Sequence, residues 1–222
     1  CALLPSTHAR VVGGVEIPHA KVSPNSRALD SVEYPDAWPF SAEDLRPMDP
    51  SDDQLFYLIP KFVHHAGGEC RECLTKYYGA ILPPPGTGAV LDLCSSWTSH
   101  FPENLAPERR VVAVGMNPLE LGKNPSATEW RVQNLNDDPT LPYEDNSFAF
   151  VTCALSIDYM TKPLALLAEV ARVLRPGGLF SALPLPEFTF AGRSSQMPPW
   201  CRLSEELRAA ARRVPFAYPD PR

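Results

Sequence analysis

The chain has no apolar run near the roughly 18 to 20 residues that a membrane-crossing helix needs, its longest, Phe148 to Ile157, being about ten. This excludes a helical membrane span and leaves peripheral membrane association open. Positive charge is also short. Lys and Arg number 20 against 26 Asp and Glu, a net charge of -6, so the surplus that a phosphate backbone demands is missing and general nucleic-acid binding is not expected. Six cysteines (Cys1, Cys70, Cys73, Cys94, Cys153, Cys201) are too few and too scattered over 222 residues for a disulfide scaffold, which reads as reduced thiols and an intracellular chain. No internal repeat is visible. Proline, by contrast, is abundant: 26 residues, more than twice the usual share of about 5%. With 44% hydrophobic residues the chain still has the material for one core of ordinary size.

Residues 1–54 carry seven of the prolines (Pro5, Pro18, Pro24, Pro35, Pro39, Pro47, Pro50) among polar residues, with no sustained period of 2 or 3.6. This predicts an extended arm with Tyr34, Trp38 and Phe40 available for contact, followed by one folded domain over 55–222. Residues 69–81 read as a helix stopped by Pro83-Pro84-Pro85-Gly86. Five apolar segments follow, Ala89–Cys94, Val111–Met116, Glu129–Leu135, Phe148–Ala154 and Gly178–Leu185, at spacings suited to intervening helices. Near-continuous apolar strands of this kind predict a parallel sheet buried on both faces, an α/β doubly wound architecture. Between the last two segments, Leu164, Leu167, Val170 and Leu174 share one helical stripe that Arg175-Pro176-Gly177-Gly178 ends. A further helix is expected over 204–213, acidic early and basic late.

Such a sheet binds ligands at the carboxyl ends of its strands. The residues there are Asp92-Leu93-Cys94-Ser95-Ser96-Trp97, Gly115-Met116-Asn117, Gln133-Asn134-Leu135-Asn136 and Leu155-Ser156-Ile157-Asp158-Tyr159. The absence of G-x-G-x-x-G after the first strand sets aside a nicotinamide oxidoreductase. His64 and His65 followed by Cys70 and Cys73 supply one C-x-x-C pair, whereas a closed zinc site needs two ligand pairs, so no metal is expected.

Over residues 55–213 the ordered series resembles the class I S-adenosylmethionine-dependent methyltransferases. Leu141-Pro142-Tyr143-Glu144-Asp145-Asn146-Ser147-Phe148-Ala149-Phe150-Val151 is similar to that family's loop and fourth strand, and Glu169-Val170-Ala171-Arg172-Val173-Leu174-Arg175-Pro176-Gly177-Gly178 to its helix and turn into the fifth. The resemblance implies a Rossmann-like sheet and S-adenosylmethionine as cofactor, with Asp92, Cys94, Ser95, Ser96, Asn117, Asn134, Leu135 and Ser156 around it. Methyl transfer from a sulfonium is an in-line displacement that needs a base only when the acceptor must lose a proton. Tyr57, His65, Asp158 and Tyr159 are the candidates for that role.

Three departures fall on the cofactor or the sheet. The family's glycine-rich first loop has no glycine here, reading Asp92-Leu93-Cys94-Ser95-Ser96-Trp97-Thr98. Its second-strand acid is replaced by Gly115, with Asn117 close by, while Asn134 stands for the third-strand acid and can still accept from an adenine amine. The terminal strand hairpin is missing after residue 213, which implies a protein partner covering the open edge or an incomplete chain. Two functions follow: a methyltransferase of unknown acceptor, or a non-catalytic accessory subunit of a larger, organellar complex on a degenerate methyltransferase fold. The opening on Cys1 rather than Met implies either a removed targeting segment or a missing true start. Phe56-Tyr57-Leu58-Ile59-Pro60-Lys61-Phe62-Val63-His64-His65 with Leu91-Asp92-Leu93-Cys94-Ser95-Ser96-Trp97 resembles a subgroup of methyltransferase-like proteins of plants and algae, which points to the chloroplast first and the mitochondrion second.

Overall fold

The computed structural model describes residues 10–12, 15–17, 40–41, 43–46, 52–103, 105 and 108–183. The helix expected over 204–213 and the missing hairpin lie outside them. The elements are a short antiparallel pair, β1 (Arg10–Val12) and β2 (Val15–Ile17), then α1 (Asp53–Tyr57), α2 (Gly68–Ile81), β3 (Ala89–Leu93), β4 (Val111–Gly115), α3 (Pro118–Leu121), β5 (Glu129–Val132), β6 (Phe148–Ala154), α4 (Pro163–Val173) and β7 (Leu174–Leu183). β3 to β7 form one all-parallel sheet in the order β5-β4-β3-β6-β7. The chain reverses its direction of winding at β3, so a switch point opens between the carboxyl ends of β3 and β6, where such sheets take ligands.

The central strands are apolar on both faces because both are covered. Leu91, Leu93, Val112, Val114, Val151 and Cys153 pack with Leu166, Val170 and Val173 of α4, while Val90, Val111 and Phe150 pack with Leu74, Tyr78 and Ile81 of α2 and with Phe101. Tyr78 is wholly buried, and its hydroxyl shares a 2.5 Å hydrogen bond with the Thr152 hydroxyl of β6. Tyr78→Phe leaves that threonine without its partner and is expected to lower unfolding free energy by about 1 to 2 kcal/mol in urea titration. An unchanged midpoint would place the bond outside the stability of the core.

Several expectations need correction. Among the described residues no helix joins β3 to β4 or β5 to β6, and the β4–β5 connection holds only the four-residue α3, so the spacing between strands overstated the helices. Pro102 and Pro125 sit in these connections, where a ring without an N–H disfavours helix continuation. The apolar stripe of α4 is Pro163, Leu166, Val170 and Val173; Leu164 and Leu167 are 50% and 38% exposed. With leucine or alanine on almost every side of this helix, period alone leaves the inward face open. β5, expected to be buried on both faces, is an exposed edge strand, marked by an Arg110–Glu129 ion pair at 2.7 Å.

The two stretches that carried the family resemblance are physically one unit. Arg172 of α4 donates to the carbonyls of Leu141 (2.7 Å) and Tyr143 (2.8 Å), to Asp145 (2.8 Å) and to Glu169, which in turn accepts the Leu141 N–H at 2.8 Å. The loop entering β6 is thereby held onto the helix entering β7. No helix in the described residues is long and apolar enough to cross a membrane.

Candidate functional site

The turn leaving β3 has a shape that its sequence disfavours. Cys94 has φ of 53°, a left-handed conformation for which glycine is the ordinary residue. The Ser95 N–H then donates to the Val114 carbonyl at 2.7 Å, laying the turn across the end of β4. A Cβ built on Gly115 would drive into the Ser95 carbonyl oxygen, with Leu121 Cδ2 3.1 Å away on the other side. Position 115 therefore cannot carry the acid that the comparison of strand ends placed there. Its glycine exists to let the β3 turn pass, and the polar side chain beyond this strand is Asn117.

Side chains hold the turn in place of glycine's freedom. Ser95 Oγ donates to Asp92 at 2.6 Å, and the Asn124 amide donates to Ser95 Oγ, the Ser96 carbonyl and Ser99 Oγ at 3.2, 3.0 and 2.8 Å. Ser96 Oγ donates to Glu120 at 2.5 Å. Asp92 is only 3% exposed, and burial pushes its carboxyl up to about 7, outweighing the lowering by bonds from Ser95 and Ser99. The Cys94 thiol is turned to the buried Cys153 of β6, whose own thiol is raised by that hydrogen bond and by burial.

The remaining strand ends are polar. Asn117 caps α3, its Oδ1 accepting from the N–H groups of Leu119 and Glu120, while its amide donates to the Tyr57 carbonyl at 2.8 Å. Asn134 accepts the Asn136 N–H at 3.0 Å and donates to Asp137 at 2.9 Å, which leaves its carbonyl a second lone pair. Leu135 belongs to the core rather than to the site surface. Ser156 is half-buried and opens the short 3-10 turn Ile157–Tyr159 without capping it through its hydroxyl; Asp158 in that turn is buried.

Over these ends lies a strap, residues 52–65, tied down at four places. Asn136 donates to Asp53 (3.1 Å) and to the Tyr159 carbonyl (3.1 Å), Asn117 holds Tyr57, Glu120 accepts the Lys61 N–H (2.6 Å), and the Trp97 indole donates to the Val63 carbonyl (3.2 Å). Tyr57 points inward, toward Cys94, Asp53, Tyr159 and Glu120. Burial first, and these neighbours after it, raise its phenol far above the ordinary range. The raised phenol favours the protonated, hydrogen-bond-donating form of Tyr57. Tyr159 lies on the same side. His65 is exposed and close enough to His100, beyond the β3 turn, to act on its charge.

Glu120 and Asn124 organise this site and were not singled out in the sequence, and Asn136 was named only as part of a strand end. An acid in a helix's first turn and asparagines in loops have ordinary reasons to be there, and only their spacing to Asn117 hinted otherwise. Glu120→Ala removes the acceptor of both Lys61 N–H and Ser96 Oγ. It is expected to speed limited proteolysis within 58–63 about tenfold while leaving global stability within about 1 kcal/mol, as local opening requires. Equal cleavage rates would mean that Glu120 does not hold the strap.

Among the described residues no three His, Cys, Asp or Glu side chains converge as metal ligands. Residues 91–182 match the methyltransferase domain family. The demethylmenaquinone methyltransferase of Staphylococcus aureus is 36% identical over 104 residues, which are 44% of this chain and 43% of that protein, so the chain spans less than half of this relative. Two solved structures align more loosely. One is a Mesorhizobium loti S-adenosylmethionine-dependent methyltransferase (21% identity, 47% and 49% of the two chains, TM-score 0.37). The other is the Haemonchus contortus phosphoethanolamine N-methyltransferase 1, in complex with phosphoethanolamine and S-adenosylhomocysteine (16% identity, 60% and 30%, TM-score 0.47). Taken with the parallel sheet, its switch point and the paired motifs around Arg172, the match makes residues 91–182 similar to the methyltransferase domain family.

Proposed function

We propose that the chain binds S-adenosylmethionine across the carboxyl ends of β3, β4 and β5 and serves a methyltransferase. The observation that carries this reading is the β3 turn. A sequence without glycine still adopts the left-handed turn at Cys94, passes over a β4 residue with no room for a side chain, and is braced by a buried Asp92. Serine, cysteine and asparagine side chains supply what glycine supplies elsewhere, and their persistence in that shape fits a retained ligand site. The backbone of Ser95 to Trp97 would face the methionine part and the second lone pair of Asn134 the adenine amine, while Asn117, its side chain engaged with α3 and the strap, would hold the strap beside the ribose. When bound, the cofactor supplies an electrophilic methyl group. The chain's part is to orient it, to exclude water beneath the strap and to present the protonated Tyr57 hydroxyl.

By analogy with the relative's name, a ring-bearing lipophilic acceptor is the first to try. The outer side of the strap, with Leu55, Phe56, Leu58, Ile59, Phe62 and Val63 exposed, is apolar enough to meet one. A second reading is favoured by Tyr57 itself. Its half-buried side chain lies near Cys94 and Tyr159, at the ends of β3 and β6, as it would in an accessory subunit that no longer binds cofactor. S-adenosylhomocysteine separates the two: the first reading expects saturating ligand to raise the melting temperature by several degrees, with Asn134→Ala reducing the shift, and the second expects none.

A further inference from the structure

Behind the β3 turn, between α2 and the 98–109 connection, is an open cleft of ≈ 830 Å³. The proposed methyltransferase function makes no use of it. Its walls include Arg71 and Lys76 from α2, His64 from the end of the strap, and His100 and Arg109 from the connection, with Glu72 and Glu103 also on its lining. Arg109 is unusual. It is 6% exposed, its Nη2 donates to the Pro83 carbonyl at 2.6 Å, and its Nε and Nη1 have no hydrogen-bond partner. Arg71, half-buried across the cleft, likewise has an unpartnered Nε. Buried guanidinium donors are rarely left unsatisfied, because each one costs free energy that a partner would recover. His100 reports the same surroundings: burial, then the charges of His64, Arg71 and His65, push its imidazole down to about 4.

We infer that this cleft is an anion site that takes the phosphate group of a small phosphomonoester, with Arg109 and Arg71 as its two principal donors. Guanidinium forks match phosphate oxygens in geometry and charge. Phosphate alone would fill a small part of the cleft, and the hydroxyls of Thr75, Thr98 and Ser126 along the walls suit the polar body of an ester.

The test is calorimetric titration of the purified chain with phenyl phosphate, glycerol phosphate and inorganic phosphate, against chloride at equal ionic strength. A saturable site is expected, with at least one of the two esters about tenfold tighter than inorganic phosphate, and Arg71→Gln is expected to weaken it about tenfold while its melting temperature without ligand stays within about 2 °C. Arg110→Gln, outside the cleft, is expected to leave binding unchanged. Arg109→Lys is also expected to weaken it, and if that variant does not fold, Arg71→Gln decides the matter. Phosphate effects no larger than those of chloride, or an Arg71→Gln variant that folds and binds normally, would overturn the site. Equal affinities for the esters and inorganic phosphate would overturn the ester assignment in favour of free phosphate. Competitive displacement by S-adenosylhomocysteine would overturn it in favour of the cofactor's own carboxylate.

Discussion

Replacing Gly115 with alanine is expected to lower the unfolding free energy by about 3 to 5 kcal/mol, the range of severe core overpacking and strain. The added Cβ meets a backbone oxygen, that of Ser95, and not the yielding end of a side chain, while Leu121 closes the opposite side. Moving the turn away would break the Ser95 N–H bond to the Val114 carbonyl and disturb the hydroxyl that Ser95 gives to Asp92. Gly122 provides the contrast. Its φ is -66° at the end of α3 and a Cβ there would sit 3.2 Å from the Pro118 carbonyl, a contact that small shifts relieve, so Gly122→Ala is expected to change stability by less than about 1 kcal/mol. Urea midpoints at constant m-value read the difference. A Gly115→Ala protein as stable as the parent would mean that the β3 turn does not cross β4 as closely as described.

Asp92 gives the second large effect, and it depends on pH. Burial holds its carboxyl at about 7 in the folded protein against an ordinary 3.8, so the folded state binds the extra proton between those values. The stability that comes from keeping Asp92 neutral is therefore complete below about pH 4 and is lost as pH rises through 7, to a limit of roughly 4 kcal/mol. Other carboxylates run the opposite way; Glu129 and Glu169 are lowered, chiefly by hydrogen bonds from Arg110 and Arg172, so raw stability curves mix the two. The difference between parent and Asp92→Asn isolates one group. At pH 8 the variant is expected to be more stable by about 2 to 3 kcal/mol, allowing about 1 kcal/mol for the second amide hydrogen, and the advantage is expected to vanish near pH 5. A difference independent of pH between 5 and 8 would show that Asp92 does not titrate in this window.

The sheet was legible in the sequence because buried parallel strands are written as apolar runs, and Phe148–Ala154 is matched to the residue. What was not legible had a physical cause in each case. β5 was read as a strand, but its apolar Trp130 and Val132 suggested a burial that an edge strand does not have. The inward face of α4 depended on Glu169 and Arg172 gripping the 141–145 loop, a tertiary fact that the many leucines obscured. Asp92, Cys94, Ser95, Ser96 and Asn117 could be placed at or just beyond the strand ends from the sequence because they follow apolar runs. Tyr57 was found as a candidate, but its protonated, enclosed state follows from a strap that only the fold brings over the strand ends. Gly115 was read as a loss, whereas it is the residue that makes the turn sterically feasible.

The central claim is that a glycine-free turn, shaped by Asp92, Asn124 and Glu120, still forms a cofactor site. Isothermal titration of the purified chain with S-adenosylmethionine and then S-adenosylhomocysteine tests it most directly. One site per chain with micromolar affinity, about -8 kcal/mol, is expected for both ligands. Absence of binding heat with either ligand at several temperatures, in a chain that unfolds cooperatively, would contradict it.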